Sequence, residues 1–343
     1  MADYIKYLPV DNGDSILIKS GYKSVLTDIK YRTSDDDVYD IFDDIKDACS
    51  DNKLSLYVST HQDQDHVLGF SDVFHCGTPV NWKNDGNTLL VCEIACSERA
   101  LTEDKTDQSR AILNEIRRRN RLIGTVDADK DGNRLKVVKE GDNLSMGTKL
   151  KGKVLAPNGE EADGESRNNS SVVVRWIYSG DKNSTKILLG GDAECEVWER
   201  LDTDYKAEDL DWHLCTAPHH CSLTPLAKKE DKTDKNSDYV DNDKAINALN
   251  HPLGKAFVVS SSKKIKRDDD NPPHYKAKNK WISILKTSET DESKERFFCT
   301  AEHEEKTAPV VFTLNDNGIT LEKKSKSNNA TKATAVNKPT TYG

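Results

Sequence analysis

The chain reads as an α/β protein, and three observations carry that reading. Three β-rich segments open it, a helix and another strand follow, and that strand runs straight into a cluster of histidines and aspartates. A second β-rich block in the middle ends in Gly190-Gly191-Asp192, and the strand after it ends in Pro218-His219-His220. A β-β-β-α-β opening of this kind builds layers of sheet and helix rather than a bundle or an all-β sandwich.

The elements follow in order. Residues 4–10, 15–19 and 23–28 are strand-like, with turn chemistry at Asp11-Asn12-Gly13 and Gly21. Residues 36–49 carry Val38, Ile41, Phe42 and Ile45 at helical spacing, with acids in the first turn. Residues 54–59 form a short strand that delivers His61. A second helix is expected over about 106–122, with Ile112, Leu113 and Ile116 on one face. Its end gathers Arg117, Arg118, Arg119 and Arg121, read first as a solvated face favoured by the helix dipole and second as a phosphate contact.

Residues 171–178 and 185–189 form a hairpin around Gly180-Asp-Lys-Asn. A helix over about 194–201 and a strand over 212–216 come next. Residues 228–244 are almost all charged or polar and read as a surface insertion, a candidate protein-partner surface. A strand at 257–260 and a hairpin of 310–314 with 319–322 close the pattern. The organisation is one domain over 1–322, followed by a low-complexity tail over 323–343 expected to be disordered.

Composition narrows the function classes. Charged residues make up 32% and hydrophobic ones 35% of the 343, with mean hydropathy −0.76. No apolar run approaches the roughly 20 residues of a membrane span. The start, Met1-Ala2-Asp3-Tyr4, shows no leader pattern, so a cytoplasmic protein without membrane contact is expected. A net charge of −9 argues against a plain DNA-binding module, which is normally basic. The eight cysteines contain no Cys-x-x-Cys and read as reduced thiols, most of them buried.

The chemistry concentrates in Thr60-His61-Gln62-Asp63-Gln64-Asp65-His66. Four potential metal ligands fall within six residues: His61, Asp63, Asp65 and His66. Imidazole with carboxylate suits a divalent transition metal. Asp192 and the His219-His220 pair stand at the ends of two further strands, and ligands in layered α/β folds converge at strand ends on one sheet edge.

These residues resemble those of the metallo-β-lactamase fold superfamily, whose signature is HxHxDH after a strand. More narrowly, the chain is similar to the hydrolase domain of ComEC-type competence proteins. The resemblance rests on Asn12-Gly13-Asp14-Ser15-Ile16-Leu17-Ile18, His61 to His66 with Gly69, Asn168-Asn169-Ser170-Ser171-Val172-Val173, Gly191-Asp192, and Pro218-His219-His220-Cys221-Ser222. Asn271-Pro-Pro-His274 downstream of Val259-Ser260 extends it. The sequence departs from the pattern at Asp63, where a histidine is usual, at Cys221, and at Leu26-Thr27-Asp28-Ile29-Lys30, which lacks a glycine.

The resemblance implies a four-layered αββα sandwich: two mixed β-sheets flanked by helices. It also implies a one- or two-metal centre. One half is expected from His61, Asp63 and a shared Asp192, the other from Asp65, His66, Asp192 and either His219 or His220. The oxygen-rich first half favours Mn²⁺ over a tight zinc site, so Mn²⁺ or Zn²⁺ is expected, as one or two ions. Two metals hold both the attacking and the leaving oxygens of a phosphodiester displacement, so a phosphodiesterase or nuclease is the leading expectation. Its substrate would be single-stranded nucleic acid or a nucleotide. Asp65, His220 and His274 are the catalytic candidates, and Asn168, Ser171, Ser222 and Asn271 the substrate-binding ones. Two rivals remain: a degenerate metal-binding or sensor subunit of a larger assembly, such as a bacterial defence system, and a thiolesterase or lactamase.

Overall fold

The computed structural model describes residues 2–32, 39–231, 237–267, 271–286, 292–303 and 307–322. Along the chain run β1 (Asp3–Tyr7), β2 (Ile16–Ser20), β3 (Lys23–Thr27), β4 (Lys53–Ser59), β5 (Leu90–Cys96), β6 (Arg134–Val137), β7 (Asn143–Met146), β8 (Leu150–Ala156) and β9 (Val173–Ser179). There follow β10 (Ser184–Leu189), β11 (Trp212–Thr216), β12 (Ala227–Lys229), β13 (Tyr239–Asp241), β14 (Pro252–Ser260), β15 (Phe297–Cys299), β16 (Val310–Asn315) and β17 (Gly318–Leu321).

These strands form an eight-stranded sheet, β17-β16-β1-β2-β3-β4-β5-β6, and a seven-stranded sheet, β15-β14-β11-β10-β9-β8-β7. Both are mixed. β3, β4, β5 and β6 pair in parallel, whereas β1, β2, β16 and β17 pair antiparallel with their neighbours. In the second sheet β10, β11, β14 and β15 run parallel and β7 to β10 antiparallel.

Side-chain alternation explains why the layers stack. Ile16 and Ile18 of β2, Val25 of β3, and Leu56 and Val58 of β4 turn one way. They share a core with Val174 and Trp176 of β9, Ile187 and Leu189 of β10, and Phe257 and Val259 of β14. The intervening Leu17, Leu26 and Tyr57 turn the other way, onto a core with Ile45, Phe70 and Ile112 from the flanking helices. Leu188 and Cys215 do the same on the far side, against Trp198, Leu249 and Trp281. Period-two alternation thus gives each sheet two apolar faces, and the result is helix, sheet, sheet, helix.

Several boundaries differ from the expectation. The first helix is Phe42–Ala48, shorter than 36–49, and Val38 lies outside the described residues. The second is Arg110–Asn120 instead of 106–122. The basic run at its end is largely tied into the fold rather than forming a solvated face, Arg121 alone of the four being exposed. Arg119 is buried, its Nε 2.8 Å from Glu115 and its Nη2 3.0 Å from the Val91 carbonyl. Arg118 binds Glu115, Asn133 and Gly132, and Arg117 the Glu103 carbonyl. Of the insertion, β12 and β13 form a two-stranded ribbon, while 232–236 and the tail 323–343 lie outside the described residues. Six cysteines are buried, Cys49 is intermediate and Cys76 exposed, and all eight are free thiols. No described helix is long and apolar enough to cross a membrane.

Candidate metal centre

Parallel strands deliver the site. β3, β4, β10 and β11 all end on one edge of the sandwich, and the residue types there are those that turns demand. Thr27 leads into Asp28 in the left-handed region (φ 55°). Ser59 leads through Thr60 to His61, and Asp63 precedes the helical turn Gln64–Val67 that carries Asp65 and His66. β10 ends at Gly190-Gly191-Asp192, where Gly191 (φ 50°) lies so close to Thr60 that an added Cβ would sit 3.0 Å from Thr60 Cβ. β11 ends at Thr216 and leads through Ala217 to Pro218, after which His219, His220 and Cys221 all take positive φ (51°, 52° and 63°). Such a run without glycine is strained and is held only by its surroundings.

Asp192 is the hub. Its Oδ1 lies 3.1 Å from His66 Nε2. Its Oδ2 lies 3.5 Å from His220 Nε2, 3.7 Å from His219 Nε2 and 3.9 Å from His61 Nε2. His220 Nε2 is also 3.2 Å from Asp65 and 3.3 Å from His66 Nε2. His61 Nε2 is 3.8 Å from Asp63. Three groups of donor atoms converge among the described residues, His61-His66-Asp192, Asp65-His66-His220 and, behind His66, Asp14-Asp28-His66. His61, His66, His220 and Asp192 are buried, while Asp63 and Asp65 are each 35% exposed and form the open side.

The donor set fits a divalent cation. His61 Nε2 is buried without a hydrogen bond, which costs about 1–3 kcal/mol in the metal-free protein, and Asp192 Oδ1 beside it has the His66 imidazole at 3.1 Å. Imidazole nitrogen and carboxylate oxygen aimed at a common point are what a Mn²⁺ or Zn²⁺ ion takes.

A supporting layer fixes the ring orientations. Asp28, fully buried, accepts from His66 Nδ1 at 2.7 Å, from the Thr60 amide at 2.8 Å and from the Thr60 hydroxyl at 2.5 Å. His66 thus carries its proton on Nδ1 and turns Nε2 to the cluster. His220 Nδ1 lies between the Ser261 carbonyl at 3.1 Å, which can accept from it, and the Gly13 amide at 3.1 Å, which donates toward it. His61 Nδ1 faces the hydroxyls of Thr60 (3.1 Å) and Ser171 (3.4 Å).

Charge coupling follows. Burial, helped by the neighbouring His66, lowers His61 to about 3, so it stays neutral. Burial also works to lower His66, but Asp192 and Asp28 outweigh it and raise that ring well above its ordinary value. His220 is raised to about 10 for the same reason, through Asp192, Asp65 and Asp14. Asp192 is held well below the carboxylate range because His66, His220 and His219 overcome its desolvation. Asp65 is likewise lowered against its burial, by His220 and His66. Asp14, buried behind His220, is pushed up to about 6 by desolvation, against the pull of both histidines.

The remaining sequence candidates divide. His220 joins the Asp65-His66 half. His219 instead turns Nδ1 to the Thr224 hydroxyl (2.9 Å), with Glu194 at 3.8 Å. Ser171 Oγ accepts from the Asp192 amide at 3.3 Å, and Asn168 donates to Glu194 at 3.3 Å. Ser222 Oγ accepts from the Thr224 amide and hydroxyl, both at 3.3 Å. His274 is buried behind the histidine loop: its Nδ1 accepts from the Leu223 amide at 3.2 Å and its backbone N–H donates to Cys221 O at 2.9 Å. Asn271 is exposed at the start of that segment. Sequence reasoning missed Asp28, Asp14, Arg167 and Lys30 as site residues. Arg167 Nη1 binds Asp63 at 3.0 Å, and Lys30, whose ammonium donates to Asn12 O, faces Asp65. Lone residues of this kind carry no spacing signature. The faint signal for Asp28 was its place at the end of a strand.

No family model matches the chain, and no curated protein matches it. Among solved structures it is similar to a mutant of CmlA β-hydroxylase, with TM-score 0.41, 12% identity, and 87% of this chain and 52% of that one covered. It is also similar to a β-lactamase from Chitinophaga pinensis, with TM-score 0.36, 12% identity, and 83% and 94% covered. A third is BJP-1, a subclass B3 metallo-β-lactamase of Bradyrhizobium japonicum, with TM-score 0.29, 16% identity, and 54% and 61% covered. The chain thus spans about half the length of the hydroxylase and under two thirds of BJP-1.

Proposed function

We propose that the chain is a metal-dependent hydrolase of the metallo-β-lactamase type acting on phosphodiesters, in single-stranded nucleic acid or a nucleotide. The observation that carries this is the convergence of His61, His66, His220, Asp65 and Asp192 from three strand ends, with the buried His61 Nε2 left for a cation to satisfy. Asp65, His66, His220 and Asp192 would hold one Mn²⁺ or Zn²⁺, and His61, Asp63 and Asp192 a second. A cation bound there supplies Lewis acidity and an acidified water at neutral pH.

The chain's own groups do the rest. Asp28 holds the His66 ring in the ligating tautomer, and the Ser261 carbonyl and Gly13 amide fix the orientation of the His220 ring, the kind of support that sets ligand basicity. The burial of Asp192 and the histidines excludes bulk water and strengthens every charge interaction inside. Asp65, ionised and about one third exposed, can accept a hydrogen bond from a water on the open side and orient it. Arg167 and Lys30 put positive charge on the two exposed carboxylates, where an anionic substrate oxygen would arrive. His274 braces the histidine loop through the Leu223 amide and the Cys221 carbonyl.

The Asp63–Arg167 pair favours a second reading, in which only the Asp65-His66-His220 half takes a cation or the domain binds metal as a sensor or partner-binding subunit. One assay separates the two: hydrolysis of a chromogenic phosphodiester by chelator-stripped protein titrated with Mn²⁺ or Zn²⁺, beside an Asp65→Ala control. Metal-dependent turnover that disappears in the control is expected. Folded protein that binds metal and turns over nothing would move the assignment to the second reading.

A further inference from the structure

Beside the metal cluster lies a cleft of about 280 Å³ lined by Glu194, Thr224, Lys228, Lys229 and Tyr239. One imidazole separates the two. His219 Nε2 is 3.7 Å from Asp192, while its Nδ1 is 2.9 Å from Thr224 Oγ1 and 3.8 Å from Glu194. The far wall is the β12–β13 ribbon, the described part of the charged insertion.

The wall residues differ in what they offer a ligand. Lys228 is committed to Glu199 at 2.6 Å. Tyr239 is half-buried, with the Lys229 ammonium 5.6 Å from its ring centre. Glu194, held in place by the Asn168 amide at 3.3 Å, brings a carboxylate acceptor. Thr224 adds a hydroxyl. A second phosphate would meet the negative charge of Glu194, so the cleft suits a neutral planar ring that donates hydrogen bonds. The volume is at the small end for ligand pockets and matches a single ring system rather than a folded chain.

We propose that this cleft is the base subsite of the same active site: it takes the nucleobase next to the phosphate at the metals, stacked on Tyr239, with an exocyclic amine directed to Glu194. Stacking on an aromatic ring is tolerant of sequence, and a carboxylate accepting from base amines adds preference for adenine, guanine or cytosine over uracil. The inference rests on the hydrolase reading for the placement of the phosphate. It gives the ribbon of the insertion a role in substrate choice.

The test uses the full chain and two readouts. Binding is measured calorimetrically with adenosine 5′-monophosphate against ribose 5-phosphate. Turnover is measured on a nucleoside 5′-phosphate p-nitrophenyl ester against bis-p-nitrophenyl phosphate. The nucleotide should bind at least about tenfold tighter than the sugar phosphate and show a correspondingly larger kcat/KM than the base-free diester. That advantage should be lost in Tyr239→Ala, be kept in Tyr239→Phe, and in Glu194→Gln shift toward uracil. Equal binding of nucleotide and sugar phosphate, or an advantage unmoved by Tyr239→Ala in folded protein, would overturn the subsite while leaving the hydrolase standing. Preferential nucleotide binding without turnover of any ester would sustain the cleft and sink the hydrolase.

Discussion

The two halves of the cluster are built from the same residue types and held quite differently. In the Asp65-His66-His220 half, each imidazole has its outer nitrogen on a fixed oxygen, Asp28 at 2.7 Å or Ser261 at 3.1 Å, and the three donor groups lie 3.2–3.3 Å apart in succession. In the His61-Asp63 half the donors stand 3.8 and 3.9 Å apart, and Asp63 is tied to Arg167. The tight half is pre-organised, and the loose half must give up an ion pair before Asp63 can serve a cation. Pre-organisation lowers the cost of binding, so the tight half should fill first.

Asp192 faces both halves, so Asp192→Ala should remove the comparison altogether. Metal binding measured by competition with a chelating dye, and turnover with it, should fall by about 10³-fold or more, since several kcal/mol of charge stabilisation are lost. An Asp192→Ala protein that keeps one tight cation would show that one half stands without the hub.

Acidity should act chiefly on the tight half. Its histidines, His66 and His220, are raised above their ordinary value, His220 to about 10. Protonation of His220 stabilises the metal-free protein fully below about pH 6.5, and that contribution fades as pH rises through about 10; His66, raised well above its ordinary value, acts in the same direction. A cation must displace those protons, so its affinity should climb with pH, about tenfold per unit for each proton released. His61, already neutral, should add nothing to that slope. Calorimetry at pH 6, 7 and 8 in buffers of different ionisation enthalpy counts the protons, and a pH-independent affinity would contradict the assigned ligands.

Asp28→Asn should weaken the tight half selectively, by about 10–100-fold in metal affinity, because the acceptor that fixes the His66 ring is lost. An equal loss at both stoichiometric steps would mean that Asp28 supports the fold rather than the ring. Smallest of all, Asp63→Ala should change first-ion affinity by less than about tenfold, since only the loose half feels it. Arg167→Gln should strengthen the second binding step by releasing Asp63. A single cation bound in both wild type and Arg167→Gln would show that the loose half never fills.

Much of this molecule was legible before it was folded. The opening strands and the central hairpin alternate apolar residues with period two, and the dense run from His61 to His66 marks the end of β4. Strands such as β5 were not legible, because Leu90–Cys96 is apolar nearly throughout and shows no alternation to separate it from a buried helix. The arginine run 117–121 misled for a related reason. Charge density reads as a surface, yet a buried Glu115 beneath it makes Arg119 an internal brace.

The sequence by itself determined the layered α/β class and supplied the histidines and aspartates that gather at the strand ends, because layering follows hydrophobic period and candidate ligands are read from residue type. Tertiary structure alone decided which of two adjacent histidines joins the tight half. Successive left-handed residues send His220 inward to Asp65 and His66, and turn His219 toward Thr224 and Glu194. It also decided that Asp28, 38 residues from His66 along the chain, closes on it. Pairings across such separations depend on how strands stack, which no local spacing encodes.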